Sequence, residues 1–494
     1  MTESQKKLAA LGCLLTLVLA ILDQNVVSTA SVAIVRDLDP AGGLARLPWL
    51  ITVYALAATA ALPLYGKLCD AYGAKRIYLG AVALFLTGSA LCGLSQNMGE
   101  LIAARTVQGL GGGGLMGVTL VVIAHLAPAE ERARAGGVGG LMTGLGMVVG
   151  PLIGGLFTDN LSWRWIFYVN LPIGLFVLAV GAATLRLPDR GPRHRIDYPG
   201  AALVAAAAVA LLLVTEWGGR EYAWDSPAIL ALCAAFAVLL AAFLVRQFTA
   251  PEPILPPSLF RDPTLRIALP LQLLTGFGMI GSIVYTVIYL QVVRGVPATG
   301  SGLYLLPMAA GMTVSGLASG GFVARGHSTK PYLVAGLALA AAAAALLSTL
   351  GTGTSQWMLG LDLFLLGTGF GLVIGIVIMI AQNAVPVSLL GVATTSVRFA
   401  QTLGSALGTA VFGVVLTRVV AGELPGFDGL ARIGSLPDGV RRRALEAVTS
   451  GIDTVFLCAA GVLSAALVLA TLLKAGGGEP AESAEGGSLP VTTG

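Results

Sequence analysis

Asp23 stands out of keeping with its neighbours. In "LAILDQNVVSTAS", residues 19–31, an apolar run gives way to Asp23, Gln24 and Asn25 in succession and then turns apolar again. A carboxylate at bilayer depth costs roughly 2.5–3.5 kcal/mol on insertion scales, which makes it a functional candidate by default. Arg105, Asp362 and Arg398 also fall inside apolar runs, away from the ends. Two acids and two bases balance, so they serve either as ion pairs holding helices together or as a site that exchanges a proton. Asp23 suits the second role best, because Gln24, Asn25, Ser28 and Ser31 supply polar neighbours along the same run. Desolvation disfavours an ionised carboxylate and a nearby arginine favours it, so a conformational change that alters either one binds or releases a proton. One pKa unit is about 1.4 kcal/mol, and one charge crossing 100 mV is about 2.3 kcal/mol. The two are comparable, so a proton site of this kind can drive a transport cycle.

Arg105 opens "RTVQGLGGGGLMG", in which Arg105 and Gln108 are three residues apart and share a helix face. The glycines that follow allow close approach of another backbone. Further on, Gly146, Gly150 and Gly154 repeat every four residues, with Gly155 and Pro151 among them. Small residues at this spacing pack membrane helices tightly, and Pro151 invites a kink. Tight packing and a pliant hinge are both open readings. "GKLCDAYGAKR", Gly66 to Arg76, has the length of a tight interhelical turn, with Gly73 free to adopt positive φ. Asp70 lies among Lys67, Lys75 and Arg76, where charges could latch two groups of helices or simply mark a basic loop.

These residues need elements that hold them at depth. The chain has 494 residues, 56% hydrophobic and 11% charged, against about 25% charged in soluble domains. Runs long enough to cross about 30 Å of hydrocarbon recur along it. Fourteen spans are expected: 8–35, 48–66, 77–95, 100–126, 135–158, 165–185, 199–217, 228–247, 265–291, 301–323, 332–350, 357–382, 391–420 and 453–474. The first begins like a signal peptide, but its apolar run continues to Val35 without a convincing cleavage site, so it reads as an uncleaved helix. An even count puts both termini on one side, and the basic residues of the short loops put that side in the cytoplasm. The net charge of +4 therefore reports membrane orientation and no nucleic-acid partner. The five cysteines and three histidines form no metal-ligand pattern, so no metal or cofactor is expected.

The expected architecture is all-α and polytopic. A six-helix bundle occupies 1–185, an inserted helix pair with its linkers 186–264, a second six-helix bundle 265–474, and a disordered cytoplasmic tail 475–494. "GGFVARGHSTK" after span 10 is a degenerate echo of "GKLCDAYGAKR" after span 2, and repeated halves with a site between them are a transporter architecture.

"GKLCDAYGAKR" resembles the loop signature of the major facilitator superfamily, and "RTVQGLGGGG" its fourth-helix arginine motif. "GLGMVVGPLIGG" is similar to the fifth-helix motif of its antiporters, and "LDQNVVSTA" to the first-helix motif of its drug:proton antiporters. "DNLSWRWIFYVNLPIG" and "LQVVRGVPATGSGLYLLP" resemble the fourteen-helix multidrug branch. The resemblance implies two bundles rocking around a central cavity. It also implies that Asp23 is the proton-linked carboxylate, Arg105 its partner, the fifth span a hinge, and Gly66, Asp70, Gly73, Lys75 and Arg76 a cytoplasmic latch. The chain departs from the pattern at Cys69, Ala71 and Ala74 in the loop and at Val32 in the first span. Arg398 lies about one turn before Gln401, where relatives often carry arginine. Asp362, Arg398 and Gln401 are candidates for a coupling site in the second half.

The function expected is proton-driven export of amphipathic small molecules by a monomer in a bacterial cell membrane, powered by the proton gradient. A dedicated exporter of one metabolite, siderophore or lipid is the alternative. Gln24, Asn25, Gln108, Tyr54, Phe277, Tyr285 and Tyr289 are candidate cavity residues. An intramembrane enzyme would need a His, Asp or Glu cluster at a membrane face, and none is apparent in the sequence. A passive channel would leave Asp23 and Arg105 without a purpose.

Overall fold

The computed structural model describes residues 3–39, 43–126, 156–158, 160–187, 196–219, 221–351, 353–424 and 437–473. Gly146, Gly150, Pro151, Gly154 and Gly155, the middle of the 186–198 linker and the 475–494 tail lie outside them, as do the side chains of Gln24, Asn25, Ser28 and Ser31. Among the described residues, thirteen helices are long and apolar enough to cross a membrane. The protein is an all-α, multi-pass membrane protein.

The first five are α1 (Glu3–Leu38), α2 (Gly43–Tyr72), α3 (Ala74–Leu94), α4 (Met98–Leu126) and α5 (Asn170–Thr184), the last preceded by a turn of helix at Trp165–Tyr168. The fifth expected span falls between α4 and α5, outside the described residues. Next come α6 (Tyr198–Trp217) and α7 (Pro227–Thr249). The remainder are α8 (Pro263–Ile288), α9 (Leu306–Val323), α10 (Thr329–Leu347), α11 (Gln356–Asn383), α12 (Leu390–Glu423) and α13 (Asp438–Leu472).

Helices α1 to α5 pack on one another, with α4 against α1, α2 and α3. Helices α8 to α13 do likewise, with α11 between α9 and α10 and α12 alongside α8. The two groups meet where α12 lies against α2 and α4. Helices α6 and α7 pair with each other, and α6 also touches both α2 and α12. At one end of α6, Trp217 meets Trp49 edge-on at 5.9 Å. At the same end, Trp224 occupies the space beside Gly218, Gly219 and Gly413. Helix α7 keeps little of itself buried, as befits a helix facing lipid.

The last helix corrects the expected boundary of 453. It starts at Asp438, so part of the stretch 421–452 between the last two expected spans is helical. Ala444, Ala447, Val448 and Ile452 are buried on one face, while the Arg442–Glu446 pair faces solvent on another. That amphipathic turn lowers the average hydropathy below what a span requires, although its apolar stripe packs like the rest of the helix.

Gly73 has φ 89°, and Gly326, in the degenerate echo, has φ 87°. Both reverse the chain between two helices in a conformation that only glycine adopts cheaply. Aligned on these glycines, the echo preserves the turn but not the acid, since Val323 stands in the second copy where Asp70 stands in the first.

Candidate functional site

Helix α4 carries Arg105 and is placed by its glycines. A Cβ at Gly109 or Gly113 would collide with the backbone of Tyr54 or Ala58 on α2, and one at Gly111 with the backbone of Phe85 on α3. This close approach sets Arg105 at a fixed depth between α1 and α2. On α1, Asp23 is twenty residues past Glu3, or about 30 Å along at 1.5 Å per residue.

The two meet. Arg105 Nη1 donates to Asp23 Oδ2 at 2.6 Å, and each side chain is only 1% exposed. Gln108 Nε2 donates to Asp23 Oδ1 at 2.7 Å, while Gln108 Oε1 accepts from Arg105 Nη1 at 2.8 Å. Asn170 Nδ2 on α5 donates to Asp23 Oδ1 at 3.1 Å. Both carboxylate oxygens are thus bonded. Ser89 on α3 ties the outer layer: its Oγ accepts from Gln108 at 3.2 Å and Asn170 at 3.0 Å, and donates to the Phe167 carbonyl at 2.9 Å. Arg105 Nε reaches the Leu50 carbonyl at 3.2 Å, and its guanidinium lies 4.3 Å from the centre of the Tyr54 ring. A buried pair is stabilising only when its remaining donors and acceptors are satisfied, and breaking one by removing a partner costs about 3–5 kcal/mol.

Asp23, Arg105 and Gln108 were legible from their types and spacing. Ser89 and Asn170 were not singled out. Asn170 lies in the apolar stretch "WIFYVNLPIG", and an amide in such a run is the signal that could have found it. Tyr54, expected in the cavity, instead covers the arginine and is 3% exposed.

The candidates in the second half are not assembled into a comparable unit. Arg398 Nη1 donates to Gln401 Oε1 at 2.7 Å. Asp362 on α11 is 3% exposed, and its Oδ2 has no hydrogen-bond partner among the described residues. No ion pair joins Asp362 to Arg398 among those residues. Three expected cavity aromatics belong to packed core instead. Tyr285 and Phe277 set their rings edge-on to Phe412 at 6.1 and 5.0 Å, and Tyr289 donates to the Gly351 carbonyl at 2.7 Å. Aromatics in apolar helices often fill gaps between neighbours, so residue type alone does not assign them to a cavity.

The loop from Gly66 to Arg76 makes contacts that charge pairing did not anticipate. Asp70 accepts from the backbone N–H of Gly391 at 2.8 Å and of Val392 at 2.9 Å. These are orphan donors in the first turn of α12, where the helix dipole favours a negative group. A Cβ at Gly66 would run into Thr395 and the Gly391 carbonyl, so α2 and α12 touch at their backbones here. Lys67 pairs with Glu252, beyond α7, at 3.5 Å, and Lys75 Nζ donates to the Ala182 carbonyl at 2.8 Å. Arg76 is exposed.

At the far end of α1, Asp37 accepts from Trp163 Nε1 at 2.9 Å and Arg164 Nη1 at 2.6 Å. These two hydrogen bonds, Trp163 first, hold its carboxyl below the usual range. Arg164 also reaches the Ser95 carbonyl at 3.1 Å, so "SWRW" joins α1 to the end of α3.

A profile of the Major Facilitator Superfamily matches residues 13–409. The chain is 34% identical over 414 residues to the Multidrug transporter protein MdtP of Bacillus subtilis, covering 84% of this chain and 76% of that one. It is 32% identical over 479 residues to Multidrug resistance protein 3 of the same organism, covering 92% and 93%. An uncharacterized MFS-type transporter of Mycobacterium tuberculosis is 37% identical over 462 residues, covering 91% and 67%. Among solved structures, the human organic anion transporter MFSD10 (TETRAN) superposes with a TM-score of 0.66 at 16% identity, covering 95% of this chain and 100% of that one. The proton:xylose symporter XylE gives 0.61 at 14%, covering 93% and 95%. At such identities the two structures speak for the fold alone. With its helical architecture and the extent of the family match, this chain belongs to the Major Facilitator Superfamily and is a membrane transporter rather than an enzyme.

Proposed function

We propose that this transporter exports amphipathic small molecules in exchange for protons across a bacterial cell membrane, with both termini in the cytoplasm. The observation that carries the reading is the enclosed Asp23–Arg105 pair, in which both carboxylate oxygens are bonded and the charges are almost fully removed from solvent. In the proposed cycle the pair alternates between two arrangements: ionised and joined, or protonated at Asp23 and released. Relatives named for multidrug transport and multidrug resistance, at 34% and 32% identity, support export of drug-like molecules.

The contacts suggest a cycle. The Asp70 end is closed, with α2 against α12 and Asp70 on the first turn of α12. With that end in the cytoplasm, this is the stage that awaits a proton from outside. Protonation of Asp23 removes the charge that Arg105 faces and weakens the pair. The bundles then rock, the Asp70 contact opens, substrate enters from the cytoplasm, and the proton leaves to the same side. The proton gradient is the energy source, no cofactor takes part, and one chain is the working unit.

The test is uptake of a zwitterionic amphiphilic dye such as rhodamine B into inverted vesicles under an imposed pH gradient. Wild-type protein should accumulate it against its gradient, and an uncoupler should abolish this. Asp23→Asn should bind the dye yet fail to accumulate it. Uphill transport by Asp23→Asn would overturn the assignment.

A further inference from the structure

Arg398, unlike Arg105, is joined to no acid among the described residues. Among the described residues its partner is the side-chain oxygen of Gln401, at 2.7 Å. A guanidinium has five donors in a planar fork that matches a carboxylate. Arg398 therefore keeps donor capacity that a neutral amide does not fill.

Its place on α12 shows where that capacity lies. One face of α12 packs on α8: the Gln401 backbone lies against Gly276, and Gly404 and Gly408 meet the backbone of Leu273 and Phe277. Another face packs on α2, through Gly391 and Thr395 against Gly66 and through Phe399 in a cluster with Leu62. Arg398, Thr402, Ser405 and Thr409, at spacings of four, three and four, form a stripe between these two faces. All four are only partly buried, whereas Gln401, Gly404 and Gly408 on the packed face are buried. The stripe is thus less tightly packed than the face against α8 and lies toward α2, the helix of the other bundle. Its hydroxyls donate to helix carbonyls, with Thr402 to Arg398, Ser405 to Gly276 and Thr409 to Ser405, and retain lone pairs as acceptors.

A second, independent feature lies on α8, against which α12 packs. Gln272 on α8 lies one helical turn before Gly276, on the same side, and is 0% exposed. Neither its Nε2 nor its Oε1 has a hydrogen-bond partner among the described residues. Leaving a buried amide unmet is costly unless another state of the protein or a ligand meets it. An arginine without an acid and an amide without a partner, on adjoining helices, share one missing group.

We infer that Arg398, with Gln401 and Gln272, is a seat for a carboxylate carried by the exported molecule, so that anionic or zwitterionic amphiphiles are preferred over cations. The inference rests on the export reading for its physiological meaning, but the seat itself is a binding property and can be tested apart from it. Arg105 cannot serve in this way, because Asp23 already occupies it.

The test uses the full chain in nanodiscs and three fluorescent probes sharing one apolar body: pyrenebutyrate, pyrenebutanol and pyrenebutyl-trimethylammonium. Wild-type protein should bind the carboxylate about tenfold more tightly than the cation, with the alcohol between them. Arg398→Gln should reduce the anion-to-cation affinity ratio about tenfold, and Gln272→Leu should reduce it severalfold. Arg398→Lys, which keeps the charge, should retain part of the preference and guards against misreading a folding defect. A wild-type protein that prefers the cation, binds the three probes alike or binds none overturns the inference, as does an unchanged ratio in Arg398→Gln. The export reading fails separately, if wild-type vesicles do not accumulate dye on a pH gradient whatever the probe ratios show.

Discussion

In the bundle of α1 to α5, Asp23 has both oxygens bonded to Arg105, Gln108 and Asn170, and a second layer through Ser89 holds those donors in place. In the bundle of α8 to α13, among the described residues, Asp362 keeps an oxygen without a partner, Arg398 has one amide, and Gln272 has none. Desolvation penalises both sets alike, so the difference lies in what compensates them. The first bundle compensates its charges internally and suits a group whose partner must be present in every cycle. The second leaves vacancies, as suits a partner that arrives and departs. The latch repeats the asymmetry: Asp70 reaches across to α12, whereas the echo of its loop keeps the glycine turn and has Val323 in place of the acid.

Substitutions should break or sharpen this contrast in a graded way. Arg105→Ala is expected to have the largest effect, since it strands the Asp23 carboxylate in the interior at a cost of about 3–5 kcal/mol. Thermal unfolding of purified protein reads the loss; a change no larger than that of a surface substitution would mean the first bundle does not depend on internal compensation. Asp70→Asn weakens two charge-assisted bonds to α12 and should shift the open-to-closed ratio at that end roughly tenfold, about 1.4 kcal/mol. Spin labels at Tyr72 and Val387, both exposed, would report the longer distance. Ser89→Ala leaves amide donors of Gln108 and Asn170 short of an acceptor and should lower stability by about 1–3 kcal/mol.

Asp362→Asn is the counter-case. With no resident partner to lose, it should leave pH-gradient-driven transport within about twofold of wild type; loss of coupling would erase the distinction between the bundles. The smallest effect is expected at Asp37, which is substantially exposed. Its folded-state pKa is depressed by Trp163 and Arg164, so its tie stabilises the folded protein above the ordinary carboxylate range and is lost as pH falls through the folded value. Melting temperatures at pH 7 and pH 3 should fall slightly further apart in wild type than in Asp37→Asn.

What could be read in the residues follows the same physics. Charges in apolar runs are conspicuous, so Asp23 and Arg105 could be found, and their shared depth made pairing a natural reading. Ser89 was silent because a hydroxyl in an apolar helix commonly bonds its own backbone, as Thr16 does here. The partners of Asp70 are backbone amides more than three hundred positions away, and a backbone amide has no residue signature. The extension of α13 was hidden because its charged face dilutes an apolar stripe. Tyr285 and Tyr289 show the reverse situation, in which side chains suggestive of a cavity pack against Phe412 and bond the Gly351 carbonyl in this structure.

The glycines of α4 bear on how the molecule is made. Gly109, Gly111, Gly112, Gly113 and Gly114 each lose about 0.8–1.0 kcal/mol of helix preference relative to alanine, together about 4–5 kcal/mol. Helix α4 therefore depends on its neighbours for its shape, and those are the surfaces of α2 and α3 that its glycines fit. Both precede it in the chain, and synthesis proceeds from the N terminus. Those helices are thus in the membrane before α4 leaves the ribosome, and Arg105 arrives after Asp23, Leu50 and Tyr54, three of the residues it meets.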